Sequence, residues 1–82
     1  MDTTGMTLTL TRHAMHTAAV KGFTPDQIKD CFANPKKVYP SKSRPGQYRV
    51  VNKDICIVGA PVSETEFRGI TMYVNGSNSP KE

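Results

Sequence analysis

His13 and His16, three residues apart, are the two histidines of the chain. With Arg12, Arg44, Arg49 and Arg68, and with Tyr39, Tyr48 and Tyr73, they supply the side-chain types that metal-independent cleavage of RNA requires. That reaction needs a base for the 2′-hydroxyl, an acid for the departing 5′-oxygen and positive charge at the phosphate. Imidazole suits proton transfer because it ionises near neutrality. The planar guanidinium offers two parallel donors to a phosphate. His13 is the first candidate, because it falls in the first turn of a helix and a helix N-terminus favours a bound anion. His16 lies on the same side of that helix, where the pair can share a site. The plainer readings are a histidine that bonds the turn backbone and a solvated helix face. Two histidines at this spacing can also bind a metal, but no third ligand accompanies them. Neither a metal nor another cofactor is expected.

The second signal is a basic stretch. Lys36, Lys37, Lys42, Arg44 and Arg49 follow one another with no acidic residue between Asp30 and Asp54. They carry +5 in a chain of net charge +4, so the remainder sums to about -1. Charge gathered in this way can track a phosphate backbone, and the interleaved Tyr39 and Tyr48 can stack on bases. The competing reading is a solvated loop that keeps the chain in solution. Arg49 differs from the others because it projects from a strand, and a rigid mount makes a more exact site. On the last strand, Arg68 and Tyr73 alternate to opposite faces, so they share a site only if a bulge intervenes. Tyr73 can donate a proton or stack, or can simply pack at the end of a sheet. The candidate catalytic residues are therefore His13, His16, Arg49 and Tyr73. The candidate nucleic-acid contacts are Lys36, Lys37, Lys42, Arg44, Tyr48 and Arg49.

These residues need elements to position them. Thr7–Thr11 alternates polar and apolar, the period of a half-buried strand. In the helix that follows, Ala14, Met15, Ala18 and Ala19 form one stripe with His13, His16 and Thr17 on the other side. Gly22 suits its C-cap. Thr24-Pro25-Asp26-Gln27 is a capping box with proline at the first helical position, and Phe23 and Ile28 stand where a hydrophobic staple forms. Ile28, Cys31 and Phe32 make the apolar stripe of this second helix. Asn34-Pro35 ends it, since the residue before a proline avoids helical angles. Val38-Tyr39 begins a short strand that Pro40 assigns to a sheet edge. Ser41–Gly46 reads as a loop, Gln47–Asn52 as a strand and Lys53-Asp54 as a tight turn. Ile55–Val58 is apolar on both faces and belongs in the middle of a sheet. After an acidic loop over Pro61–Glu66, Phe67–Val74 alternates as the last strand. The order is β-α-α-β-β-β, with a further short strand at Val38 as an option. It implies an α+β fold, two helices against one face of a mostly antiparallel sheet. Met15, Phe32, Phe67 and Met72 are core candidates.

A chain of 82 residues, 37% of them apolar, suffices for one domain. The folded part is expected over 6–74, between flexible tails at 1–5 and 75–82. No apolar run approaches the roughly 20 residues of a membrane helix, so no membrane contact is expected. The opening residues lack the basic and apolar regions of a signal peptide, which suggests a cytoplasmic location. Cys31 and Cys56 have no neighbouring cysteine or histidine pair and read as buried free thiols.

Several short signatures stand in sequence. Thr11-Arg12-His13-Ala14 opens the first helix. Gly22-Phe23-Thr24-Pro25-Asp26-Gln27-Ile28 joins the two helices. Asn34-Pro35 precedes Val38-Tyr39-Pro40, Arg44-Pro45-Gly46-Gln47-Tyr48 enters the sheet, and Ile70-Thr71-Met72-Tyr73 ends it. Together they span about Leu8 to Tyr73, and the ensemble resembles the RelE-like bacterial toxin superfamily, nearest to its branch of domains of unknown function. The resemblance implies a RelE-like fold and a toxin of a two-gene toxin–antitoxin module. Several such toxins cleave messenger RNA, often on the ribosome, and others inhibit DNA gyrase without cleaving anything. The branch usually carries arginines along the first helix before a glycine, whereas here Lys21 precedes Gly22. Ribonuclease members often place a basic residue near a C-terminal tyrosine or histidine, whereas here none follows Tyr73 before Lys81.

The expectation is a RelE-like toxin, or a toxin-derived protein, that binds RNA, with metal-independent endoribonuclease activity as its catalytic form. Its partners would be RNA, including ribosome-associated messenger RNA, and an antitoxin protein. The alternative is a non-catalytic module, encoded by a phage or mobile element, that uses the same fold to block a host protein. A structural domain without a ligand is the third possibility.

Overall fold

The computed structural model describes residues 3, 5–52 and 54–74, so the turn expected at Lys53 and the tail over 75–82 lie outside the described residues. Strand β1 (Thr7–Leu10) leads into helix α1 (Arg12–Lys21), and helix α2 (Pro25–Ala33) follows. Four strands come next: β2 (Lys37–Pro40), β3 (Tyr48–Val51), β4 (Ile55–Pro61) and β5 (Glu66–Val74). The fold is α+β, with two helices and one five-stranded mixed sheet in the order β1-β5-β4-β3-β2. Strands β2 to β5 form an antiparallel meander, and β1 pairs with β5 in parallel. The optional strand at Val38 is present as β2 at one edge of the sheet, where Pro40 is tolerated. Strand β4 is the middle strand, and its residues Ile55 to Gly59 are all buried.

Local signals set both helix starts. Thr11 caps α1, accepting a hydrogen bond from Ala14 N, and Gly22 ends the helix at a φ of 78°. A β-carbon disfavours that left-handed conformation, so glycine fits there. The capping box of α2 is complete: Gln27 N donates to Thr24 Oγ1 and Thr24 N donates to Gln27 Oε1. Such a cap contributes about 1 kcal/mol.

Both helices cover one face of the sheet. Ala18, Ile28, Cys31 and Phe32 meet Val50, Ile55, Ile57, Phe67 and Met72 there, with Leu8, Leu10, Phe23, Val38 and Tyr48 packed around them. The Phe32 and Phe67 rings lie 5.6 Å apart, centroid to centroid. Complete burial of a side chain such as Phe67 stabilises the fold by roughly 1.5–3 kcal/mol.

The structure departs from the expectations in several places. Met15 is 54% exposed rather than buried. Helix α1 buries only Ala14 and Ala18, whose small side chains let the helix lie close on β5, and Met15 is turned off that line. Tyr48 packs into the helix-side core, on the face opposite Arg49. Strand β5 does not alternate along its whole length. Gly69 pairs with Gly59 and Thr71 with Val58, so Ile70 is an inserted residue. The bulge inverts the pattern: Phe67 and Met72 both face the helices, while Arg68, Thr71 and Tyr73 all face the other way.

Candidate functional site

The face of the sheet turned away from the helices gathers most of the candidate residues. Its floor is apolar, formed by Val51, Cys56 and Val58 with Tyr73 packed against them. Tyr39, Arg49, Val58 and Thr71 stand opposite one another across four strands, and Lys37, Val51, Cys56 and Tyr73 form the adjoining row. Arg49 is only 5% exposed on this face. Its Nη1 lies 3.6 Å from the Cys56 sulfur, and its guanidinium carbon stands 5.7 Å from the centre of the Tyr73 ring. A cation over a tyrosine face is attracted by the ring quadrupole.

A cleft of about 210 Å³ opens around this arginine, lined among others by His13, Ser41, Arg44, Arg49, Thr71 and Tyr73. Three separate parts of the fold build it. The first turn of α1 brings His13. The loop between β2 and β3 brings Ser41, Ser43, Arg44 and Gln47, and the bulged part of β5 brings Ile70, Thr71 and Tyr73. The loop is held by its own backbone, with Ser41 N donating to Gln47 O and Gln47 N donating to Arg44 O. The start of α1 is tied to the bulge through Thr11. Its N–H donates to Gly69 O, and its hydroxyl donates to Ile70 O. No acidic side chain lines the cleft among the described residues. Two arginines, a histidine and several hydroxyls therefore converge on one space, an arrangement that receives an anion with donors from several sides.

A second cleft of about 540 Å³ lies at the β2 edge of the sheet, lined by Lys36, Lys37, Tyr39, Val51 and Asn52. At the opposite edge, Arg68 meets Glu66 at 3.8 Å, and Glu66 also accepts from Thr9 Oγ1. Positive charge is thus answered at the β1 edge, while acidic side chains are missing from the described lining of both clefts.

Of the residues singled out from the sequence, His13, Arg44, Arg49 and Tyr73 come together in one cleft. Lys36 and Lys37 lie beside the neighbouring cleft. Lys42 is exposed on the loop between β2 and β3. His16 is exposed on α1 and does not line the cleft with His13, and Tyr48 belongs to the helix-side core. Ser41, Ser43, Gln47 and Thr71 were not singled out. Thr71 had a readable signal, since an isolated glycine inside a strand, here Gly69 or Gly59, points to a bulge. The loop serines had none, because loop closure is decided by pairing across the sheet. Among the described residues no group of three histidine, cysteine, aspartate or glutamate side chains is placed to hold a metal ion, and no helix is long and apolar enough to cross a membrane. No family model, curated protein or solved structure matches the chain.

Proposed function

We propose that the chain is a RelE-like toxin, or a protein derived from one, that binds RNA on the outer face of its sheet and cleaves it in the cleft around Arg49. The observation that carries this reading is the convergence of His13, Arg44, Arg49 and Tyr73 on one cleft without a carboxylate in its described lining. A phosphodiester seated there would meet the two guanidinium groups, which favour the charge that builds on phosphorus-bound oxygen during displacement. His13 and Tyr73 are the proton carriers within reach of the same space. In the reaction the 2′-oxygen attacks phosphorus and gives its proton to one carrier. The bond from phosphorus to the 5′-oxygen breaks, and that oxygen takes a proton from the other carrier. The products are a 2′,3′-cyclic phosphate and a free 5′-hydroxyl, so the step needs no further reactant.

The test maps RNA ends after induction of the wild-type protein and of His13→Ala, together with cleavage of a labelled oligonucleotide by purified protein. Growth arrest and new 5′-hydroxyl ends with the wild type, lost in His13→Ala and Arg49→Lys, are expected. Intact RNA with freely growing cells rejects catalysis.

A second reading rests on a different observation. An apolar groove of about 410 Å³ runs between β1 and the two helices, lined by Leu8, Leu10, Met15, Ala18, Phe23 and Ile28 among others. It suits the alternative of a non-catalytic module that grips a protein. Recovery of one host protein by the wild type, lost when Met15→Glu charges the groove, would favour it if RNA is left intact.

A further inference from the structure

The second cleft has features that a single phosphate site does not use. Tyr39 stands directly opposite Arg49 across the β2–β3 pair, and both point away from the helices, since Val38 and Val50 fill the helix-side core. The Tyr39 side is open, with 39% of the residue exposed. Lys37 lies on the same face two residues earlier, and Lys36 immediately precedes the strand, its N–H donating to Val51 O. A lysine on an edge strand is also a defence against strand pairing. Tyr39 places an aromatic ring on the same face as that lysine. On β3, Arg49 lines one cleft and Val51 the other. These positions are about 7 Å apart along the strand. An aromatic ring flanked by cations on a flat strand surface receives an unpaired base, because stacking needs a free base face and the cations answer its phosphate.

We propose that Lys36, Lys37 and Tyr39 form a second nucleotide subsite, which stacks the unpaired base next to the phosphodiester held at Arg49, so that the ligand is single-stranded RNA rather than a duplex. This rests on the reading that the Arg49 cleft binds RNA, and it adds which strand form is taken and where the neighbouring base goes. Tyr39 supplies the stacking surface, Lys37 and Lys36 the charge, and buried Val51 an apolar floor to the second cleft. Duplex RNA offers no free base face to Tyr39, and its grooves do not lie flat on a strand surface.

The experiment measures binding of labelled short oligonucleotides by fluorescence anisotropy, using one sequence as a single strand and as a duplex. Fluorescence of 2-aminopurine placed along the strand reports stacking. The wild type should bind the single strand at least tenfold more tightly than the duplex and quench 2-aminopurine at one position. Tyr39→Ala should weaken binding about tenfold and abolish that quenching, while Tyr39→Phe keeps both. Circular dichroism confirms that each variant is folded, and Lys37→Ala, which removes no packed ring, gives an independent loss of affinity. Single-strand binding that Arg49→Lys weakens but Tyr39→Ala and Lys37→Ala leave unchanged overturns the subsite alone. Equal affinity for duplex and single strand does the same. Absence of binding to any RNA overturns both the subsite and the reading beneath it.

Discussion

The Arg49 guanidinium carbon stands 5.7 Å from the centre of the Tyr73 ring, although β4 runs between the strands that carry them. The two residues meet diagonally across Cys56 and Val58, which leave room for the long arginine to lie along the sheet. Burial of this kind fixes the arginine instead of leaving it to sample solvent, and a fixed donor spends less entropy on gripping an anion. The contact should appear as a coupling of about 1 kcal/mol between Arg49→Met and Tyr73→Leu in a double-mutant cycle of urea unfolding. A coupling near zero would mean that the two groups are merely close.

The bulge that brings Tyr73 to this face depends on one glycine more than on another. A Cβ at Gly59 would run into the Arg68 carbonyl oxygen and lie 2.7 Å from Phe67 Cε1. A Cβ at Gly69 would meet the Leu10 Cδ2 methyl at 2.8 Å, the far end of a side chain that can turn away. Gly59→Ala is therefore expected to destabilise the fold by about 1–3 kcal/mol, and Gly69→Ala by less. Chemical denaturation of both variants tests the ranking, and equal losses would contradict it.

Much of this fold is legible in the chain because its signals are local. The capping box at Thr24, the glycine stop at Gly22 and the doubly apolar run Ile55–Val58 each act within a few residues, and each element appears where the pattern puts it. The parallel pairing of β1 with β5 joins Leu8 to Phe67, far apart in the chain, and no local pattern encodes it. The candidate site is half legible for the same reason. Arg49 on a strand and the basic stretch around it can be read directly. That His13 faces the same space as the loop of Arg44 follows only from the bulge at Ile70 and its bonds to Thr11. Met15 failed as a core residue because helical periodicity gives a stripe, whereas the packing partner decides how wide a stripe is covered.

Cys31 gives a prediction in pH. It is fully buried on the sheet-facing side of α2, and its sulfur lies 3.7 Å from Ile55 O. Burial, with a smaller contribution from Cys56, pushes the thiol from 9.0 up to about 12. The folded state thus keeps its proton over a range in which the unfolded chain loses it. This contribution to stability is whole below about pH 9 and is lost as pH rises toward 12. Urea midpoints followed from pH 8 upward should fall more steeply for the wild type than for Cys31→Ala. Parallel slopes would show that this thiol does not govern the alkaline loss.

Thr11 links the helix that carries His13 to the bulge that carries Tyr73. Its hydroxyl donates to Ile70 O and accepts from Ala14 N, while its backbone N–H donates to Gly69 O. Removing the hydroxyl leaves a helix-end N–H and a strand carbonyl without this partner. Thr11→Ala should therefore cost about 1–2 kcal/mol of stability, and Thr11→Ser, which keeps both bonds, a few tenths. If His13 acts in the cleft, Thr11→Ala should also slow RNA cleavage more than it weakens RNA binding, because it loosens the seat of the proton carrier while Arg49 and Tyr39 stay in place. Measuring both quantities at a temperature where the variant is fully folded separates this effect from simple unfolding. An equal loss of binding and cleavage would show that the cap supports the fold without positioning the histidine.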